Sequence, residues 1–125
     1  MKKRLVISCM LLIAASAPSA EEATAAPERR SPGDMTVDER RGMMEHAQNY
    51  NNCVFNLAMQ RVNSDPDIRR IADLAMDDCQ NNLDALQDQI IAWGFPDYFA
   101  EGFTRTVRDR AARKLIPELA ISKSR

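Results

Sequence analysis

The 125-residue chain is 45% hydrophobic, 28% charged and 6% aromatic, and its 17 lysines and arginines against 18 acids give a formal charge of −1. That composition suits one small folded domain; it excludes two full-sized domains and a chain drawn onto nucleic acid by bulk charge. Four glycines and one histidine leave little for phosphate-binding loops or histidine-rich metal cages, and no apolar run approaches the ~20 residues of a membrane-spanning helix.

Met1-Lys2-Lys3-Arg4 is a cationic start, followed by the 13-residue apolar run Leu5–Ala17 and then by small residues with Pro18. This order predicts a secretory leader over residues 1–19, cleaved after Ser19 or, as the alternative, after Ala25. Val6-Ile7-Ser8-Cys9 is no lipidation box, because no apolar segment precedes the cysteine. An uncleaved amphipathic anchor would need a polar face, which Leu5–Ala17 lacks. The expected location is therefore periplasmic or secreted. Loss of Lys2, Lys3 and Arg4 leaves 14 cations against 18 acids, about −4. Residues 20–35 are polar and proline-bearing without hydrophobic periodicity, which predicts a disordered linker.

The remainder predicts an all-α fold, a small bundle of three to four helices over residues 36–121 with a short tail at 122–125. Thr36 and Glu39 have the spacing of a capping box. Behind them Met43, Ala47, Tyr50, Val54, Leu57 and Ala58 form one apolar stripe. Met44, Phe55, Met59 and Val62 form a second stripe about a quarter-turn away, so this helix should touch two neighbours. Asn63-Ser64-Asp65-Pro66 breaks it and restarts a helix, with Asp65 as cap and proline at the first helical position. The second helix presents Ile68, Ala72, Ala75, Cys79, Leu83, Leu86, Ile90 and Trp93 on one face. Gly94 and Pro96 should end it. A third helix from near Asp97 carries Phe99, Phe103, Val107, Ala111 and Leu115 to Pro117, where it should kink or end.

Loss of the leader removes Cys9 and leaves an even pair, Cys53 and Cys79, in a compartment that favours disulfides. Cys53 lies 11 residues before Ser64 and Cys79 lies 15 after it. At ~1.5 Å per residue, two antiparallel helices would hold them within about one turn in depth. A disulfide-linked helical hairpin is expected. A redox-active pair would need close spacing such as C-x-x-C and a lowered thiol pKa, and neither is indicated.

Five of the seven aromatics, Trp93, Phe95, Tyr98, Phe99 and Phe103, fall within eleven residues. Such a cluster plugs the end of a core or forms a recognition patch. Residues 65–101 hold nine acids against two arginines, whereas residues 102–125 hold seven cations against two acids. Arg105, Arg108 and Arg113 of the basic stretch can pair with the acidic helix or face a partner. Trp93, Phe95, Tyr98, Phe99, Arg105, Arg108 and Arg113 are therefore the candidate partner-binding residues, with an envelope protein as the expected partner. An anionic membrane surface is a weaker target for the basic segment, and an uncovered face of the first helix would make a homodimer. Nucleic acid is disfavoured by export.

Asp73, Asp77, Asp84 and Asp88 read as a solvated helix face, since no glycine-centred calcium loop surrounds them. Met43 and His46 share a face, and thioether with imidazole suits copper. A lone histidine builds no zinc or haem site, however, and no metal or other cofactor is expected. No nucleophile elbow, phosphate loop or zinc signature points to catalysis. The expected function is non-catalytic protein binding; the alternative is a small-ligand binder that takes a lipid, an acyl chain or copper.

Overall fold

The computed structural model describes residues 28–125. The predicted leader and residues 20–27 of the predicted linker lie outside that range. Four helices form the bundle: α1 (Val37–Gln60), α2 (Ile68–Asp78), α3 (Gln80–Ala92) and α4 (Asp97–Lys123), preceded by a 3-10 turn at Pro32–Asp34. No strand occurs among the described residues. α2 and α3 follow one another end to end, and each packs against both α1 and α4. α1 and α4 run parallel. Both begin at the end where Met35, Met43, Phe95 and Ala100 cluster, and both finish where Lys123 donates to the Val62 and Asp65 carbonyls.

The ends of α1 follow from local chemistry. The Thr36 hydroxyl accepts from the Glu39 N–H at 3.1 Å while the Glu39 carboxylate accepts from the Thr36 N–H at 2.9 Å, closing the capping box. The α2 start lies two residues later than expected. Asp67 is the cap, accepting from the Arg69 N–H, while Asp65 turns the loop by accepting from the Asp67 N–H. Gly94 closes α3 with φ +93°, a left-handed conformation that a side chain would strain.

The apolar stripes enclose one continuous interior with two centres. In the larger, Tyr50, Val54 and Ala58 of α1 meet Ile71, Ala75 and Cys79 and, from α4, Ala111, Leu115 and Leu119. At the joint between α3 and α4, Leu86, Ile90, Phe95 and Ala100 are fully buried beside Met35 and Met43. Full burial of one large aliphatic or aromatic side chain stabilises a fold by about 1.5–3 kcal/mol.

Cys53 and Cys79 are bonded, with Cα atoms 6.0 Å apart. The bridge ties the middle of α1 to the junction of α2 and α3. Here the structure corrects the expectation of an unbroken second helix. Cys79 sits at φ −96° and ψ 3°, and the Asn82 N–H bonds back to its carbonyl across three residues, so the α-helical ladder is interrupted there. Gln80-Asn81-Asn82 adds two weak helix formers just beyond the anchored cysteine.

Of the two outcomes expected at Pro117, the end does not occur: α4 continues through it to Lys123. The proline ring lies on the exposed face, where the carbonyl it leaves without an amide donor can bind water. Leu115 and Leu119 on either side are 2% and 0% exposed, and their burial carries the helix past the break.

Residues 28–35 correct a third expectation. They are packed on the bundle rather than free. The Arg30 N–H donates to the Gly94 carbonyl at 2.9 Å, and Met35 is buried in the joint. A stretch without hydrophobic periodicity is held here through hydrogen bonds, which periodicity does not register.

Candidate functional site

The residues singled out from sequence divide between three places. Phe95 is fully buried, tilted against Phe99 at 5.8 Å between ring centroids. Trp93 and Phe99 are half-buried against the same joint. Gly42 of α1 lies so close to Trp93 that an added Cβ would meet the indole at 3.3 Å. Phe95 therefore cannot reach a partner, and the cluster serves mainly as the plug of the core. Tyr98 alone projects, at 73% exposure.

Arg30 locks this plug from outside. Its guanidinium stands 4.5 Å over the Phe95 ring, and its N–H groups reach both Glu39 carboxylate oxygens at 2.6 and 3.0 Å. It donates further to the Trp93 carbonyl at 3.0 Å and the Asp34 carbonyl at 2.9 Å. The bonds from Arg30, with the Thr36 N–H second, hold the Glu39 carboxyl at about 2, well below the usual carboxylate value of 4.5. Its stabilising contribution is therefore fully present above pH 4.5 and is lost as pH falls from 4.5 through about 2. Glu39→Gln should lower stability at pH 7 and flatten the acid limb across that window. Urea unfolding at stepped pH checks this.

The α4 arginines do not share one surface. Arg108 turns toward α2 and α3, donating to the Gln80 side-chain oxygen at 2.7 Å and the Asp77 carboxylate at 2.9 Å. It lies beside the fully buried Tyr50, whose hydroxyl has no hydrogen-bond partner. Burial pushes the Tyr50 phenol above its ordinary value, with the Arg108 charge acting the other way. Arg105 pairs with Glu101 one turn back at 2.8 Å. Arg113 lies toward α1, lining a hollow with Phe55, Lys114, Pro117 and Glu118. Arg108–Asp77 pairs the basic stretch with the acidic one, and Arg61 from the end of α1 pairs with Asp78, so part of the acidic charge is satisfied internally. Asp73, Asp77, Asp84 and Asp88 are all exposed. Met43 is buried in the joint, whereas His46 is half-exposed.

A different face gathers what sequence reasoning did not assemble. Six large hydrophobic side chains are exposed among the described residues: Val37, Met44, Phe55, Leu74, Tyr98 and Ile121. Val37, Met44 and Phe55 recur at 7 and 11 residues, which places them on one side of α1. That side borders the outer edge of α4, where Ile121 follows Lys114 by two turns. Between the helices is a cavity of about 190 Å³ walled by Asn51, Asn52, Val54, Phe55, Ala111, Lys114 and Leu115. Open hollows extend it both ways, one toward Pro117 and one toward Met44 and Arg41, with Lys114 bordering all three. The Asn51 side-chain oxygen is buried in this region and has no donor. The signal for this groove was the second apolar stripe. Met59 and Val62 are partly covered by the core, while Met44 and Phe55 remain 55% and 44% exposed.

No family model, curated protein or solved structure matches the chain. Fold and site together define a small all-α domain of four helices with one disulfide and an open groove between its two parallel helices.

Proposed function

We propose that this is an exported, non-catalytic binding protein of the cell envelope, and that it holds another protein along the α1–α4 groove. The observation that carries this reading is the pair of exposed apolar side chains lining the groove, Met44 and Phe55, with Val37 on the same side of α1 and Ile121 two turns beyond Lys114 on α4. Exposed apolar groups gathered along one groove, with polar groups at its rim, are the usual mark of an interaction surface. The half-open pocket of about 190 Å³ beside Phe55 falls below the ~300–1,000 Å³ of pockets that swallow a whole small molecule. It suits one anchoring side chain from a partner, and the hollows on either side of it are shallow and open to solvent, which favours protein binding over an enclosed lipid or acyl chain. Export rests on the basic and apolar start of the chain and on a disulfide that belongs to an oxidising compartment.

The test is site-specific photo-crosslinking in living cells, with a benzoylphenylalanine placed at Phe55 in one strain and at Tyr98 in another. A discrete adduct heavier than the chain is expected from position 55 and not from 98. Adducts of equal yield at both positions, or none at 55, would overturn the groove as the binding face. The intact mass of the same protein should be that of a chain cleaved after Ser19 or Ala25.

A further inference from the structure

We propose that the groove takes an amphipathic helix of defined asymmetry, with acidic residues along the edge that meets α4 and uncharged hydrogen-bonding residues along the edge that meets α1. This deepens the reading above and rests on it. The shape is that of a trough between two parallel helices, α1 being 24 residues long and so about 36 Å. A helix laid between two others inserts apolar side chains at i, i+3, i+4 and i+7 into such a trough. A flat lipid surface offers nothing to enter the cavity beneath Phe55.

The two walls differ in chemistry. On α4, Arg110, Arg113 and Lys114 are exposed within two turns, and none forms an ion pair among the described residues. Among the described residues, Glu118 is the one acid lining the groove on that side. The α1 wall is built of amides, with Gln48 and Asn51 lining the trough and only Arg41 and Glu45, of opposite charge, toward its start. Three unpaired cations on one side and uncharged amides on the other fix both the charge of the partner and its orientation.

The test uses the oxidised full chain and three fluorescent 21-residue helical peptides with the same leucine face, edged on one side with glutamate, glutamine or lysine. Anisotropy titration should show the glutamate peptide binding at least ten-fold tighter than the other two, with the advantage shrinking as salt rises. Arg113→Glu/Lys114→Glu should invert the preference toward the lysine peptide. Phe55→Asp should abolish binding of all three while leaving the helical circular dichroism unchanged, because Phe55 is partly exposed. Equal affinities, a preference for the lysine peptide by the unaltered protein, or binding to phosphatidylglycerol vesicles in place of every peptide would overturn the assignment. So would no binding at all. In each of those cases a protein adduct from position 55 would still support the groove as a binding face, so the two readings fail separately.

Discussion

Phe95→Ala should destabilise the fold by about 3–5 kcal/mol, the range for truncating a fully buried aromatic side chain. Phe95 has no exposed surface, and it is packed with Leu86, Ile90 and Ala100 at the joint. Its ring also faces the Arg30 guanidinium at 4.5 Å, so truncation removes a cation–π contact of about 0.5–2 kcal/mol as well as a core side chain. The neighbouring Tyr98→Ala is the control. At 73% exposure it should change stability by no more than about 0.5 kcal/mol. Urea unfolding midpoints compare the two directly, and a cost below about 1 kcal/mol for Phe95→Ala would contradict the joint as a packed centre.

Removal of the disulfide should have an effect of similar size by a different route. Cys53 and Cys79 are 26 residues apart in sequence, and closing such a loop restricts the unfolded chain by roughly 3.5 kcal/mol in the chain-entropy model. Small domains have net stabilities of about 5–15 kcal/mol, so the reduced chain should lie much nearer its unfolding threshold. Cys79 is buried at 1% exposure, which makes alanine the better replacement because a serine hydroxyl would need a partner there. Cys53→Ala/Cys79→Ala should unfold at much lower urea than the oxidised protein, and reductant should then have no additional effect. A double variant as stable as the oxidised protein would show that the helices need no covalent tie.

Much of the fold was legible because it depends on patterns local in sequence. The capping box at Thr36 and Glu39, the stripe from Met43 to Ala58 and the left-handed Gly94 each follow from spacing and residue type. The cysteine pair was legible because two antiparallel helices make depth a matter of counting. What escaped depends on contacts between distant segments. The break at Cys79 lies in an uninterrupted apolar stripe, with no proline or glycine beside it. Pro117 predicts a kink or an end, and the helix does not end there, because burial of Leu115 and Leu119 outweighs the one hydrogen bond the proline forgoes. Arg30 gave no signal at all, since its partners Glu39, Trp93 and Gly94 come together only in the folded chain.

The candidate site was legible by composition but not by position. The aromatic cluster and the arginines were visible, yet burial of Phe95 and internal pairing of Arg108 remove two of the candidates from direct contact with a partner. The second stripe on α1 indicated that a face would be left over. Only the placement of α4 determines which half of that stripe stays open.

The loop closed by Cys53 and Cys79 ends before α4 begins. Chains are made from the N-terminus onward, so α1 and both cysteines exist before the last 27-residue helix has been completed. The segments that the bridge joins, α1, α2 and the start of α3, are thus complete without α4. The groove is not, because one of its walls is α4 itself. It is consequently the last part of the molecule to come into being, and a chain interrupted before Asp97 would carry both cysteines but only one of the groove's walls.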